Sequence, residues 1–157
     1  MPISTQEDQE WMQEALTLAH KAESEAEVPV GAVLVQDRKI LGQGWNRPVA
    51  SHDPSAHAEI QAIRHAGKLV SNYRLPGSTL YVTLEPCTMC AGAIIHARIK
   101  RLVFGAYDPR TGAIVSVARL FDESYHNHKT EYQGGVLEAE CSQLLKDFFA
   151  AKRIKQD

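Results

Sequence analysis

Two short motifs in the sequence carry side chains that can bind a metal ion. Cys87 and Cys90 are separated by two residues, and at the start of a helix this spacing places both sulfurs on one face. The free backbone N–H groups of a helix N-terminus favour the thiolate form that a metal requires. His57 adds an imidazole, and one nitrogen with two sulfurs is a common catalytic zinc shell that leaves a fourth position for water.

Glu59, two residues after His57, suits proton transfer better than metal binding. Residues two apart on a helix do not share a face, so these side chains cannot both bind a metal beside the helix body. The metal is therefore predicted to lie off the first turn of the helix. A zinc ion bound by two thiolates is a weaker Lewis acid than one bound by three imidazoles. A carboxylate that accepts the proton of the zinc-bound water is therefore needed. We predict that Glu59 is this proton shuttle.

Each motif also has a simpler interpretation. A lone Cys-x-x-Cys is typical of redox pairs as well as of metal sites. A closed structural zinc site would need a fourth protein ligand, and the one remaining cysteine, Cys141, falls in a predicted amphipathic helix where buried thiols commonly pack. The joint presence of His-x-Glu and Pro-Cys-x-x-Cys favours a catalytic zinc site over both alternatives.

The elements that position these motifs alternate between helix and strand, which indicates one layered α/β domain over residues 1–157. Ser4 and Glu7 match a capping box at the start of the first helix, and residues 46–55 are predicted to form a loop. Both motif-bearing helices follow strands, so their N-termini are predicted to meet at the carboxyl ends of strands. The predicted helices cover 4–26, 56–66, 88–98 and 138–154, and the predicted strands cover 30–35, 40–45, 80–84, 102–107 and, more weakly, 132–137.

Composition and charge limit the class of protein. The sequence lacks the roughly 20 consecutive apolar residues of a membrane helix and begins with an acidic segment, so we expect no membrane association and a cytoplasmic location. Three cysteines suit a reducing compartment. The net charge of −2 argues against a strongly basic nucleic-acid binder, but the first 27 residues carry seven acidic side chains and one lysine. The remainder is net positive and allows either a local basic face or ordinary surface charge. The candidates are Arg98, Lys100, Arg101, Arg110, Lys146, Lys152, Arg153 and Lys155.

His-x-Glu followed by Pro-Cys-x-x-Cys is the signature of the zinc-dependent cytidine/deoxycytidylate deaminase superfamily. Within it, the chain resembles the bacterial tRNA-specific adenosine deaminases, which convert the wobble adenosine of an anticodon to inosine. The resemblance extends over nearly the whole chain. The matching runs are Val28–Val35, Gly44–Pro48, His52–Ile60, Asn72–Leu75, Thr79–Ala93, Val103–Asp108, Thr111–Ala113 and Asp147–Phe149.

The resemblance implies a fold, a ligand set and a mechanism. The fold would be a three-layer α/β/α cytidine-deaminase-like fold with a five-stranded mixed sheet, assembled as a homodimer that binds a tRNA anticodon stem-loop. His57, Cys87 and Cys90 would bind one Zn²⁺ per subunit, and zinc-bound hydroxide would attack C6 of adenine while Glu59 transfers protons. Asn46 would hydrogen-bond the flipped base, with loop capping as its alternative role. Asp108 would contact a 2′-hydroxyl, with turn formation before Pro109 as its alternative.

Some positions depart from the family pattern. Ile114 and Val115 stand where the family usually has a Gly-Ser pair, which leaves the role of that loop open. His126 and His128 are interpreted as part of an exposed polar loop and not as a second metal site. Two other functions remain open: a deaminase of free bases or nucleosides such as guanine or cytidine, and a non-catalytic zinc-stabilised RNA-binding module. The C-terminal basic residues Lys152, Arg153 and Lys155 are candidates for phosphate contacts.

Overall fold

The computed structural model describes the backbone of residues 5–156 and the side chains of residues 6–154. The predicted cap at Ser4 and the side chain of Lys155 lie outside these described residues. The helices are α1 (Thr5–Ser24), α2 (Pro48–Ser51), α3 (Ala58–Val70), α4 (Thr88–His96) and α5 (Glu138–Gln156). The strands are β1 (Gly31–Gln36), β2 (Lys39–Trp45), β3 (Thr79–Leu84), β4 (Arg101–Ala106) and β5 (Glu131–Gln133).

The five strands form one mixed sheet in the order β2-β1-β3-β4-β5. Strand β1 is antiparallel to both neighbours, β2 and β3, whereas β3, β4 and β5 are parallel to one another. Every strand except β1 therefore runs in the same direction, and their carboxyl ends lie at one edge. This edge is where open α/β sheets bind ligands.

Alternating side chains of the central strands divide the interior into two cores, one on each face of the sheet. Val33, Tyr81 and Val103 face α1 and α5, whose packed side chains include Met12 and Leu144. On the other face, the neighbouring positions of the same strands pack against α3 and α4; they are Ala32, Leu34, Leu80, Val82, Leu102 and Phe104. The predicted three-layer arrangement and five-stranded mixed sheet are confirmed.

Helix α3 packs unusually close to strand β2 because two glycines on the strand leave space for it. A Cβ atom at Gly44 would collide with the carbonyl oxygen of Ala58, and one at Gly42 would collide with that of Ala62. Alanines on the facing side of the helix complete the contact, and Ala58, Ala62 and Ala66 are all buried. The close packing fixes the first turn of α3 relative to the carboxyl end of β2.

Several predicted boundaries were wrong; among them, the helix predicted at 56–66 covers Ala58–Val70. Helix α1 ends at Ser24 instead of Ala26, because Ala26 has a left-handed backbone with φ 62°. The predicted loop 46–55 contains the short helix α2, whose first-turn N–H groups at Val49 and Ala50 are bound by the buried carboxylate of Glu27 at 3.2 and 2.8 Å. Strand β5 stops at Gln133, since glycines follow it and Gly135 has φ 86°.

A buried charged network joins α1 to the sheet on the face opposite α3. Asp8 is fully buried and forms two hydrogen bonds of 2.9 Å with the guanidinium of Arg101, which is 6% exposed. The hydroxyl of Tyr81 donates to the same carboxylate at 2.9 Å, and Arg101 also donates to Gln133 at 2.7 Å. The network thereby links α1 with β3, β4 and β5. Among the described residues, no helix is long and apolar enough to cross a membrane.

Candidate active site

The predicted metal ligands lie at the N-termini of two helices, at the carboxyl edge of the sheet. His57 is the N-cap residue of α3 and Cys87 that of α4, and neither side chain makes a capping hydrogen bond. Both imidazole and thiol are therefore free to point away from their helices. Cys90, in the first turn of α4, is fully buried beneath them. The structure places the site off the first turns of the two helices, as predicted.

The three side chains form a cluster with the dimensions of a zinc site. Nδ1 of His57 lies 3.6 Å from Sγ of Cys87 and 3.5 Å from Sγ of Cys90. Tetrahedral zinc with Zn–N near 2.05 Å and Zn–S near 2.3 Å separates nitrogen from sulfur by about 3.6 Å. Among the described residues, this is the one group of three or more His, Cys, Asp or Glu side chains close enough to share an ion. The donor set and its spacing therefore fit zinc.

Proton affinities within the cluster differ sharply between the two thiols. A hydrogen bond from Cys90 lowers the pKa of Cys87 to about 4, against the opposing effect of burial. The pKa of Cys90 is raised well above its ordinary value by that same hydrogen bond and by burial. The hydrogen bond with Cys87 also raises the pKa of His57. A cation bound here must displace protons, so metal binding is coupled to pH.

Glu59 is the second residue of α3 and is only 4% exposed, although its side chain can carry a charge. Burial raises the pKa of its carboxyl to about 7. Its side chain shares a pocket with His57 and Cys87. The buried carboxyl of Glu59 lies beside the His/Cys/Cys cluster without belonging to it. It is therefore placed to exchange protons with a molecule bound in the pocket.

The pocket has a volume of about 120 Å³, well below the roughly 300–1,000 Å³ of pockets for drug-sized ligands. A single planar ring suits this size better than a complete nucleotide. Cys90 lies behind the wall of the pocket. The lining residues are Val28, Val30, Asn46, His57, Glu59, Leu84, Glu85, Cys87, Asp108 and Thr111. The structure thus brings five of the six sequence-predicted site residues to one cavity and places the sixth directly behind it.

Asn46 caps a helix, and not only the loop that was its alternative role. Its Oδ1 accepts a 2.9 Å hydrogen bond from the backbone N–H of Ala58, the first residue of α3. This contact replaces the cap that the His57 side chain does not supply. Because Oδ1 already accepts this hydrogen bond, the Nδ2 hydrogens are the polar group of Asn46 that remains available to a molecule in the pocket.

Asp108 forms the turn that was the alternative role for this residue. Its Oδ1 accepts hydrogen bonds from the backbone N–H groups of Arg110 and Thr111 at 2.9 and 3.2 Å, and Oδ2 accepts from the Thr111 hydroxyl at 2.9 Å. Asp108 is nevertheless one of the residues that line the pocket. Turn formation and substrate contact are therefore compatible at this position.

Glu85 was not among the predicted site residues; it follows β3 and is only 2% exposed. Burial opposes ionisation of this carboxyl, but hydrogen bonds from Ser116 and from the backbone N–H groups of Val115 and Asp108 hold its pKa below the ordinary value. The signal available in the sequence was a charged residue placed directly between an apolar strand and Pro86-Cys87. Such a residue is expected to be buried, and buried carboxylates need partners.

The predicted basic face is only partly present. Arg101 was wrongly assigned to it, because the ion pair with Asp8 buries this guanidinium in the sheet. Arg110, Lys146 and Arg153 do line one surface groove, of about 330 Å³, together with Leu145 and the partly exposed Phe149.

The histidines of the loop before β5 play no part in the cluster described above. His128 is partly buried, and its Nε2 lies 2.8 Å from the carbonyl oxygen of Ile99. His126 packs against Tyr125, with ring centroids 4.3 Å apart. Both observations favour a structural role over a second metal site.

An α/β/α domain that presents a His/Cys/Cys cluster and a buried glutamate at the carboxyl ends of its strands has the architecture of a zinc-dependent deaminase. Comparison with known proteins agrees: residues 5–106 match the cytidine and deoxycytidylate deaminase zinc-binding region. The chain belongs to this family, and within it to the group of the tRNA-specific adenosine deaminases, as the following relatives show.

The tRNA-specific adenosine deaminase of Haemophilus influenzae is 57% identical over 152 residues, covering 96% of this chain and 88% of the relative. That of Bacillus subtilis is 44% identical over 150 residues, covering 96% and 93%. A solved structure from work on A-to-I editing by tRNA:A34 deaminases at the wobble position of transfer RNA superimposes with a TM-score of 0.84. It is 46% identical in sequence, and the match covers 87% of this chain and 99% of that one.

Proposed function

We propose that this chain converts the wobble adenosine of a tRNA anticodon to inosine by hydrolytic deamination. The observation that carries the proposal is the 3.5–3.6 Å His57/Cys87/Cys90 cluster, which shares one small pocket with the buried carboxyl of Glu59. The full-length similarity to tRNA-specific adenosine deaminases supports the choice of substrate.

We assign His57, Cys87 and Cys90 as the ligands of one zinc ion per chain. When bound, zinc supplies a Lewis acid that activates water near neutral pH. The two thiolate ligands balance its charge, so the surrounding side chains must assist the proton transfer. The N-termini of α3 and α4 add positive electrostatic potential at the same place.

Glu59 carries the proton transfers. Its carboxylate takes a proton from the attacking water and delivers it to N1 of adenine, which prepares C6 for addition. A C–O bond then forms at C6, and Glu59 moves the second proton to the exocyclic nitrogen. The C6–N bond breaks, ammonia leaves and inosine remains. Water is consumed and the carboxylate is regenerated, so the reaction is balanced without another co-reactant.

The pocket accepts a base only after the base has left the anticodon stack. Unpaired bases in an RNA loop are extruded at low energetic cost. We propose that the Nδ2 group of Asn46 donates a hydrogen bond to the flipped base and that Asp108 contacts the ribose 2′-hydroxyl. The groove lined by Arg110, Lys146 and Arg153 supplies cations near the same face for phosphate contacts.

We further propose that residues 1–157 act as one domain, that two copies form a homodimer, and that the protein works in the cytoplasm, where tRNA is modified. The homodimer rests on the family resemblance, whereas the single domain and the location rest on the element order, composition and charge of the sequence. Sedimentation at micromolar concentration tests the dimer, with a monomer as the contradicting result.

Incubation with an anticodon stem-loop, free adenosine, cytidine and guanine distinguishes the proposed reaction from its nearest alternative. We expect inosine at the wobble position and little conversion of the free compounds. Release of uridine or xanthine without stem-loop turnover would instead indicate a deaminase of free nucleosides or bases. A third outcome, binding of the stem-loop without any product, would indicate a non-catalytic zinc-stabilised RNA-binding module.

A further inference from the structure

The buried carboxylate of Glu85 holds one loop through five hydrogen bonds. Oε2 accepts from the consecutive backbone N–H groups of Ile114, Val115 and Ser116, at 3.1, 2.8 and 3.0 Å. Oε1 accepts from the N–H of Asp108 at 3.0 Å and from the Ser116 hydroxyl. The two oxygens therefore fasten both ends of the segment 108–116, here called the pocket loop.

The interaction depends on the backbone of the pocket loop more than on its side chains. Four of the five donors are peptide N–H groups, and a buried carboxylate surrounded by such donors is stabilised without a cation. This explains how Ile114 and Val115 are accommodated where a Gly-Ser pair was expected. Their N–H groups bind Glu85, and Ile114 adds its side chain to the core.

The pocket loop also lies against the segment that carries Cys87. The N–H of Ala113 donates to the carbonyl oxygen of Pro86 at 2.9 Å. Gly112 packs so tightly that a Cβ atom there would collide with the carboxyl group of Glu85. Asp108 and Thr111, which belong to the same loop, line the pocket together with Asn46.

We propose that Glu85 is a positioning residue for the substrate: it fixes the pocket loop so that Asp108 and Thr111 form one wall of the base pocket. The proposal rests on the proposed function for its choice of substrate. Glu85 acts through the loop, because its oxygens are already occupied by loop donors. Its loss is therefore expected to weaken substrate binding and to leave the metal and the proton transfers in place.

The variant Glu85→Gln tests this division. The amide keeps one acceptor oxygen but presents an NH₂ group to donors on the other side, so one end of the loop is released. We expect KM for the stem-loop to rise about tenfold with kcat changed less than about twofold, as for loss of one charge-assisted hydrogen bond used in binding. Amide hydrogen exchange across 108–116 should accelerate, and the zinc content should equal that of the wild type.

Asp8→Asn is the matched control, since it also removes a buried, multiply hydrogen-bonded carboxylate but lies on the opposite face of the sheet. We expect a lower melting temperature with KM and pocket-loop exchange unchanged. If Glu85→Gln does not fold, Ser116→Ala decides, because it removes one donor and leaves every backbone contact; its KM should rise about threefold.

A wild-type KM in both Glu85→Gln and Ser116→Ala would overturn the proposal. So would a loss of zinc and kcat with unaltered loop exchange, because Glu85 would then support the metal helix instead of the pocket wall. A wild-type protein that leaves the stem-loop unchanged would overturn the proposed function alone. The same KM comparison would then be made with the free nucleoside or base that the protein does deaminate, beside the substrate-free exchange experiment.

Discussion

The side-chain oxygen of Asn46 caps helix α3 through its 2.9 Å contact with the N–H of Ala58. Asn46 directly follows strand β2, and it thus links the pocket to the proposed ligand His57, which is the N-cap residue of α3. The cap also fixes the orientation of the amide, so that its donor group is the one available to a base. The oxygen of this side chain therefore stabilises the helix, and its nitrogen is the group proposed to recognise the base.

Asn46→Asp separates these two functions. Aspartate keeps an acceptor for the Ala58 N–H and is an equally good capping residue, so the melting temperature should be retained. It has no N–H donor, so kcat/KM for the stem-loop should fall at least about tenfold, as for loss of a hydrogen bond to substrate. Asn46→Ala, as the comparison, should lose activity and about 1 kcal/mol of stability. Equal activity of Asn46→Asp and wild type would show that only the cap matters.

Replacement of Glu59 by glutamine should abolish turnover while the metal remains bound. Glutamine has nearly the same shape but cannot accept a proton, so kcat is expected to fall by about 10²–10⁴-fold, the usual contribution of general acid–base catalysis. Zinc content by elemental analysis and stem-loop affinity should stay at wild-type values. A variant that loses zinc as well would make Glu59 part of the metal site instead of the proton pathway.

Substitution of single cysteines should show that Cys90 binds the metal and that Cys141 does not. Cys90→Ala leaves two protein ligands and should strongly reduce zinc content and activity. Cys141→Ala is the matched control, because that thiol is equally buried but packs in the core between α5 and the sheet. We expect it to retain full zinc and to lose only stability, by up to a few kcal/mol as for a small core truncation. Wild-type zinc content in Cys90→Ala would refute the ligand assignment.

The grouping of the candidate site residues could be predicted because it is encoded over short stretches of sequence. His57 and Glu59 sit two residues apart, Cys87 and Cys90 three apart, and each pair begins a helix. Helix geometry then determines which side chains can point to a common centre. The family resemblance supplied what spacing does not, namely the five-stranded mixed sheet and the candidate roles of Asn46 and Asp108.

The contacts that the sequence analysis missed join residues far apart in the chain. Glu85 binds N–H groups up to 31 residues away, and Glu27 caps α2 across 22 and 23 residues. Arg101 was assigned to the surface because its ion pair with Asp8 spans 93 residues. Charge and periodicity describe each residue in its local window, whereas tertiary packing decides whether a charge is buried.

Loss of the buried ion pair should destabilise the protein without altering its chemistry. Asp8→Asn leaves the guanidinium of Arg101 buried and uncompensated, which typically costs about 3–5 kcal/mol. Chemical denaturation should show this loss, with kcat/KM unchanged below the unfolding transition. The double variant Asp8→Asn/Arg101→Met should recover part of it, because the stranded charge is removed. Glu7→Gln, in the exposed pair of Glu7 with Arg38 at 3.2 Å, should cost no more than about 1 kcal/mol.

Tyr81 should make the folded state sensitive to alkaline pH. Burial, followed by the negative charge of Asp8, raises the pKa of Tyr81 above its ordinary value, so the folded protein keeps a proton that the unfolded chain loses above about pH 10. The stabilisation is complete below pH 10 and declines as the pH rises from there towards the folded pKa, by at most about 1.4 kcal/mol per pH unit. Urea denaturation between pH 8 and 11 measures the decline.

Tyr81→Phe removes the titrating group, so its stability should depend less on pH above 10 than that of the wild type. Its stability at pH 8 should be lower by about 1 kcal/mol, the usual value of one hydrogen bond, because Asp8 loses a donor. Tyr73→Phe provides the control, since Tyr73 is 72% exposed and its removal takes away an exposed phenol. Parallel alkaline profiles for wild type and Tyr81→Phe would show that other groups cause the decline and that the buried hydroxyl ionises without cost to the fold.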